Sequence, residues 1–539
     1  MRNTHTLYWI LAIICTCSAV IASAQSVTIA EVPVAEATCG EAFVAHTLPH
    51  TTTGGGAPVR MFESNGSGLS IGDLDGDGLL DVVLANIGGP PSVLFNDGDF
   101  QFTRVELNAP PTRAASTVDV DGDGLLDVVF TTQLAAPIMW RNLGERQSAE
   151  REALPGVIEP AYSMAWGDLD ADGDLDAVTG SYDAELELKL RDTFMLGEGA
   201  GIFYYENDGG QFTQQRLAES SQALVVYLHD VNNDSAPDIM VGNDFEPIDR
   251  YWLNTPDGWQ QTEIADVMTH STMSYTAADI NNDGAAELYA TDMKPYSEDD
   301  ATMQAWAPVM DRMMSMPMLE GDPQVMENVM LITEAAGYTN IGSDMGLDAT
   351  GWSWSSKFGD LDSDGLLDLY VVNGMIAEDL FGHLPDDELV EENQAFRNVD
   401  GTTFQPAPQW NLNATESGRG MSMGDMDNDG DLDIVVNNLL SASMLYENQL
   451  CGNSIQIDLS DSTSRNTYAL GAQVTLTTEA TTYTRTVQAS SGYLSGDPAR
   501  VHFGLPEGET PQTLLIQWPD GTTSQIDSPP ADHILSISR

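Results

Sequence analysis

The chain is poor in positive charge. Among 539 residues there are 20 Lys+Arg against 83 Asp+Glu, a formal net charge of −63, and lysine occurs only at 189, 294 and 357. Such a surface repels DNA, RNA and anionic membranes and attracts cations. Cysteine is scarce too, with four residues. Apart from Cys15 and Cys17 near the N-terminus, histidine and cysteine form no clustered pair, which argues against a zinc or copper centre. No P-loop or H-E-x-x-H occurs, and no G-x-S-x-G or G-x-G-x-x-G falls in strand–helix context. The one long apolar run is Leu7–Ile21, after Arg2 and before Ala22-Ser-Ala24. It reads as a signal peptide over 1–24, and no later run is long enough for a transmembrane segment. Lipid attachment at Cys15 or Cys17 is the alternative. Cleavage leaves Cys39 and Cys451, which pair as a disulfide in an oxidising compartment or remain two buried thiols.

What is present is a repeat. Asp73-Leu-Asp75-Gly-Asp77-Gly78-Leu-Leu-Asp81 precedes the apolar run Val-Val-Leu-Ala, and the pattern returns from Asp119, Asp168, Asp230, Asp279, Asp360 and Asp425. Oxygen donors at positions 1, 3, 5 and 9, a Gly at 6 and the carbonyl of 7 suit calcium, a hard cation that takes six to eight oxygens. Crowding so many protein oxygens disfavours magnesium. The expected ligands in the first loop are Asp73, Asp75, Asp77, Leu79 and Asp81, and in the second Asp119, Asp121, Asp123, Leu125 and Asp127. The third offers Asp168, Asp170, Asp172, Asp174 and Asp176. The fourth offers Asp230, Asn232, Asp234 and Asp238, with Ser235 in the glycine place and Pro237 beside the last ligand, and is expected to be the weakest. The fifth offers Asp279, Asn281, Asp283, Ala285 and Glu287. The sixth offers Asp360, Asp362, Asp364, Leu366 and Asp368, and the seventh Asp425, Asp427, Asp429, Asp431 and Asp433. Up to seven calcium ions are expected, as structural staples.

Successive loops start 46, 49, 62, 49, 81 and 65 residues apart. The shorter values fit one four-stranded propeller blade. The longer ones leave room for insertions at Ser181–Ala200 and at the Met-rich stretch Asp299–Met330. The latter is either a cap across one face or an ordinary packed insertion. A second motif ends in Asn: Leu94-Phe-Asn96, Trp140-Arg-Asn142, Tyr205-Glu-Asn207, Trp252-Leu-Asn254, Phe396-Arg-Asn398 and Tyr446-Glu-Asn448. These short strands predict antiparallel meanders. The expected fold is all-β, a seven-bladed β-propeller over 61–450, with 25–60 closing the last blade and a small β-sandwich-like domain over 451–539.

The chain resembles the FG-GAP/VCBS-type repeat proteins with a C-terminal ASPIC/UnbV domain, a group that includes cartilage acidic protein. The resemblance rests on the Asp loops, Asn243-Asp-Phe245, Thr291-Asp-Met293 and Trp352-Ser-Trp354. In the tail it rests on Ser464-Arg-Asn466, Leu470-Gly-Ala472, Ser491-Gly-Tyr493-Leu-Ser495, His502-Phe-Gly504 and Trp518-Pro-Asp-Gly521. It implies a secreted, calcium-loaded propeller of the integrin-α repeat type with no established enzymatic activity. The expected function is a non-catalytic binding or adhesion module, secreted, periplasmic or at the cell surface, for an extracellular protein or glycan. One alternative is a polysaccharide-active lyase or hydrolase; another is an assembly component that docks through its tail. Trp352 and Trp354 are read as blade packing or as a sugar platform, and His50 and His229 as structural residues.

Overall fold

The computed structural model describes residues 26–190, 201–245, 247–314, 321–334 and 337–539. The signal-peptide reading of 1–24 lies outside them, as do Met316 and Met318 and the second half of the Ser181–Ala200 insertion.

Seven antiparallel sheets carry the seven loops. Each acidic loop joins the first strand of its sheet to the second. In the first sheet Leu69–Gly72 pairs with Asp81–Leu84, and Gly72 faces Asp81 across the ladder. The same register, loop position 0 against position 9, recurs in all seven, down to Gly424 against Asp433. The first strands neighbour one another in cyclic order, and the first also meets the seventh, so the sheets form a closed propeller ring. The core lies between the blades. Val83 and Phe95 of the first pack with Ala115, Phe130 and Trp140 of the second, and Leu69 and Val82 pack with Val435 and Leu445 of the seventh. Second strands are covered on both faces, which is why they read as unbroken apolar runs such as Asp81-Val-Val-Leu84, buried throughout. Fourth strands lie outermost, and Phe102–Glu106 is mostly exposed.

The seventh sheet is completed by Val44–Thr51 from the N-terminal segment, which pairs with Ala442–Glu447. The expected single role of 25–60 divides here: Thr28–Pro33 instead pairs with the last strand, His533–Ser538, in the tail. A disulfide joins Cys39 to Cys451, with Cα atoms 5.5 Å apart.

The tail holds two four-stranded sheets. Ile455, Val474, Leu476, Phe503 and Leu514 fill the space between them, and the same cluster continues into Val118, Leu154 and Trp166 of the second and third blades. One tail segment, Gln488 to Gly496, enters the central channel and bonds to all seven blades. Gln488 accepts from the Tyr227 hydroxyl (3.3 Å) and Gly492 N–H donates to the Tyr275 carbonyl (3.1 Å). Tyr493 N–H donates to Ser355 Oγ (3.1 Å), and its hydroxyl meets that of Tyr162. Ala115 N–H donates to the Leu494 carbonyl, Met421 N–H to Ser495 Oγ, and Gly496 N–H to the Leu69 carbonyl. The channel is plugged.

The two insertions sit at the opposite ends of the strands from the acidic loops. One forms the helix Asp183–Leu190. The Met-rich stretch forms the helix Asp300–Met314, anchored by the fully buried Trp306.

Candidate functional site

Every acidic loop bends twice in the left-handed region. Position 4 has φ from 53° (Ser363) to 77° (Gly76), and the position-6 glycines lie between 86° (Gly365) and 105° (Gly430). Ser235 adopts the same bend at φ 72°, a conformation that strains a residue with a Cβ by about 1–2 kcal/mol. Position 5 uses one carboxylate oxygen to accept the position-7 N–H, as Asp77 does from Leu79 (2.9 Å) and Asp123 from Leu125 (3.0 Å).

The position-9 acids have a second duty. Asp81 accepts the Leu74 N–H of its own loop (2.9 Å) and the Asn96 N–H at the end of the third strand (2.8 Å). Asp127, Asp176, Asp238, Asp368 and Asp433 repeat both bonds. The Asn side chain then crosses to the neighbouring blade. Asn142 Nδ2 donates to the Leu74 carbonyl (2.7 Å), Asn96 to Met426 (2.7 Å), Asn398 to Ile280 (2.9 Å) and Asn448 to Leu361 (2.8 Å). The recurring Asn visible in the sequence thus ties one loop to the next. Its spacing gave the signal, but its partner lies on another blade.

Five loops gather three acids whose oxygens lie within 4.8 Å of one another: Asp73, Asp75 and Asp81; Asp119, Asp121 and Asp127; Asp168, Asp170 and Asp172; Asp360, Asp362 and Asp368; Asp425, Asp427 and Asp433. Among the described residues the fourth and fifth loops form no such group. Each has an Asn at position 3, whose amide ties up an acid: Asn232 donates to Asp234, and Asn281 to Glu287. Burial and the neighbouring acids push Asp81 and Asp360 up to about 8. Burial, with Asp121 and Asp119 alongside, lifts Asp127 to about 7, and burial with Asp429 and Asp425 raises Asp427. Buried oxygens of Asp121, Asp168 and Asp362 have no hydrogen-bond partner. Orphaned, mutually repelling carboxylate oxygens are a donor set that a divalent cation satisfies. Three arginines already lean on it, Arg146 against Asp75, Arg141 against Asp121 (3.0 Å), and Arg397 against Asp362.

At the other ends of the strands lies a pocket of about 80 Å³. Its walls include Phe245, Met273, Met293, Trp352, Trp354 and Met375, and the helix Asp300–Met314 closes one side with Val309. The motifs Asn243-Asp-Phe245, Thr291-Asp-Met293 and Trp352-Ser-Trp354, far apart in sequence, meet here. Trp352 and Trp354 are buried, 5% and 3% exposed. Trp354 donates to the Gly374 carbonyl (2.7 Å), whereas Trp352 Nε1 has no partner. Three buried acids surround the pocket. Asp244 accepts from Tyr182 Oη (2.5 Å) and Phe245 N–H, Asp292 from three backbone N–H groups, and Glu391 from Trp306 Nε1 (3.0 Å) and Trp352 N–H (2.7 Å). Burial raises all three, Glu391 to about 7. The plug tip reaches the pocket floor, where Tyr493 lies 4.9 Å from Trp354. His50 is buried, and His229 stacks on Tyr227. His50 bonds Ser92 and Thr52, and burial lowers the two to about 3 and about 4.

Comparison with known proteins agrees with the repeat and the tail. FG-GAP-like repeats match residues 73–130, 119–179, 230–290 and 379–436, and the ASPIC and UnbV family matches 462–539. No curated protein matches the chain. Among solved structures, one of BBS1N in complex with ARL6DN is 11% identical, covers 72% of this chain and 95% of that one, and has a TM-score of 0.41. The exotype rhamnogalacturonan lyase YesX is 11% identical, covers 78% and 76%, and has a TM-score of 0.37. At these scores neither likeness carries a functional argument. Among the described residues no helix is long and apolar enough to cross a membrane.

Proposed function

We propose, for a chain built of FG-GAP-like repeats and a C-terminal ASPIC and UnbV domain, an exported, calcium-loaded propeller that binds a protein or glycan without catalysis. The observation that carries the binding role is the convergence of three distant motifs on one apolar pocket, whose acids are committed to hydrogen bonds with the scaffold. A pocket walled by Met and aromatic side chains takes an apolar anchor from its partner. The metal belongs to the other face. There Asp73, Asp75 and Asp81 and their counterparts in the second, third, sixth and seventh loops would hold calcium. Its chemistry is electrostatic, a divalent charge that neutralises packed carboxylates and adds its binding free energy to folding.

The test is a glycan and extracellular-protein array probed in calcium, with Phe245→Ala/Met293→Ala as the comparison. The double variant should lose the ligand while keeping wild-type calcium binding. Equal binding by both proteins would place the site elsewhere, and turnover of an arrayed polysaccharide would overturn the non-catalytic reading.

A further inference from the structure

The tail does more than rest on the acidic-loop face; it bonds the loops at equivalent positions. At position 1 of the second loop, Asp119 Oδ2 accepts the Gly124 N–H and also the hydroxyl of Thr467 (2.5 Å). At position 1 of the seventh, Asp425 Oδ2 accepts the Gly430 N–H and the side-chain amide of Gln456. The position-6 carbonyls are read in the same way. Gly173 accepts from Ser464 Oγ (2.6 Å), Gly430 from Ser454 Oγ (2.5 Å), and Gly124 from Tyr468 Oη (3.1 Å). In the sixth loop Asp360 is covered by Gly504, where a Cβ would fall 2.0 Å from Oδ2. By contrast, Asp230 of the fourth loop accepts from its own Asp234 and Ser235 N–H groups.

We propose that Thr467 and Gln456 are positioning residues for the cations of the second and seventh loops, so that calcium loading and tail docking are one linked equilibrium. Each bonds Oδ2 of the position-1 carboxylate, whose Oδ1 accepts N–H groups of its own loop, from Gly122 and Asp123 on Asp119 and from Asp429 on Asp425, so tail and loop together set the carboxylate's orientation toward the ion. Partners in this outer position orient the ligands, and their loss typically costs about 10–100-fold in metal affinity. Linkage is reciprocal: whatever the docked tail adds to calcium affinity, calcium adds to docking of the tail. The plug segment is part of the tail, so it follows. The inference rests on calcium occupying these loops.

The experiment uses the full chain and calcium alone. Thr467→Val and Gln456→Leu should each weaken one calcium site by about tenfold in a calorimetric titration. Thr467→Ser, which keeps the hydroxyl, should retain it. In the wild type, chelation should speed amide exchange through Ser491–Gly496 before the inner strands exchange. Calcium binding with unchanged affinities in both variants, each folded by circular dichroism, would overturn the latch alone. Full protection of the plug in chelator would overturn it too. A wild type that takes up no calcium would overturn the latch and the calcium reading together.

Discussion

The two faces of the propeller are built by opposite rules. On one, seven versions of a nine-residue loop hold carboxylates at equivalent places, with the same two left-handed bends and nearly the same hydrogen bonds. On the other, the connections differ in length from blade to blade and supply a helix here and a tryptophan pair there. The repeated face concentrates like charge in groups of carboxylates that could hold a cation. The irregular face satisfies its buried acids with protein donors, N–H and O–H groups for Asp244, Asp292 and Glu391 and the Arg113 guanidinium for Glu185. Repetition therefore yields a scaffold, and irregularity yields a site of defined shape.

The largest expected effect separates the faces by metal. Each occupied loop, at dissociation constants of about 0.1–1 mM, adds about 1.4–2.7 kcal/mol at 10 mM calcium. Chelation should therefore lower the melting temperature sharply, with calcium restoring it better than magnesium. A melting curve indifferent to chelator would erase the contrast. Next comes the seam near the seventh loop. Cys39→Ser or Cys451→Ser should lower stability by about 2–5 kcal/mol, since the crosslink spans 412 residues. Two titratable thiols in the denatured, unreduced wild type would contradict the bridge.

The pocket face should respond to pH. Burial raises Glu391 from 4.5 to about 7, so the folded state binds the proton more tightly than the unfolded chain. The stabilisation from that proton is full below about pH 4.5, falls as pH rises, and is lost above about 7, about 3 kcal/mol in all. Glu391→Gln, shaped like the protonated acid, should flatten this slope in denaturant titrations between pH 5 and 8, with calcium or without. An unchanged slope would remove Glu391 as its source. The smallest effect returns to the loops. Ser235→Gly should add about 1 kcal/mol by relieving the left-handed bend. A loss of stability there would mean that the serine side chain matters more than its backbone.

The repeated face was legible because its information is local. Asp73 to Asp81 declares the turn, the donors and the next strand within nine residues, and the turn and strand hold even in the fourth loop, where Ser235 replaces the glycine. The Asn motif was visible, but the carbonyl it reaches belongs to the preceding blade, 68 residues away for Asn142 and Leu74. Ser491-Gly-Tyr493 was visible as a tail signature. Its role as a plug was not, because its partners sit on seven strands spread over some 350 residues. Thr28–Pro33 gave no clear alternation, and its partner is the last strand of the chain. The pocket had no periodicity to reveal it. It exists only where insertions and strand ends of several blades happen to face one another.

The pairing of Thr28–Pro33 with His533–Ser538 also sets a timetable. Thr28–Pro33 waits for residues 533–538, and the outermost strand of the seventh sheet, Val44–Thr51, waits for residues 442–447. Both the ring and the tail therefore wait for contacts of large sequence separation, which form slowly. The waiting intermediate exposes open sheet edges. The same neighbourhood makes the ends interchangeable with a short linker. A circular permutant opened between two blades should close the same ring by a different order of events.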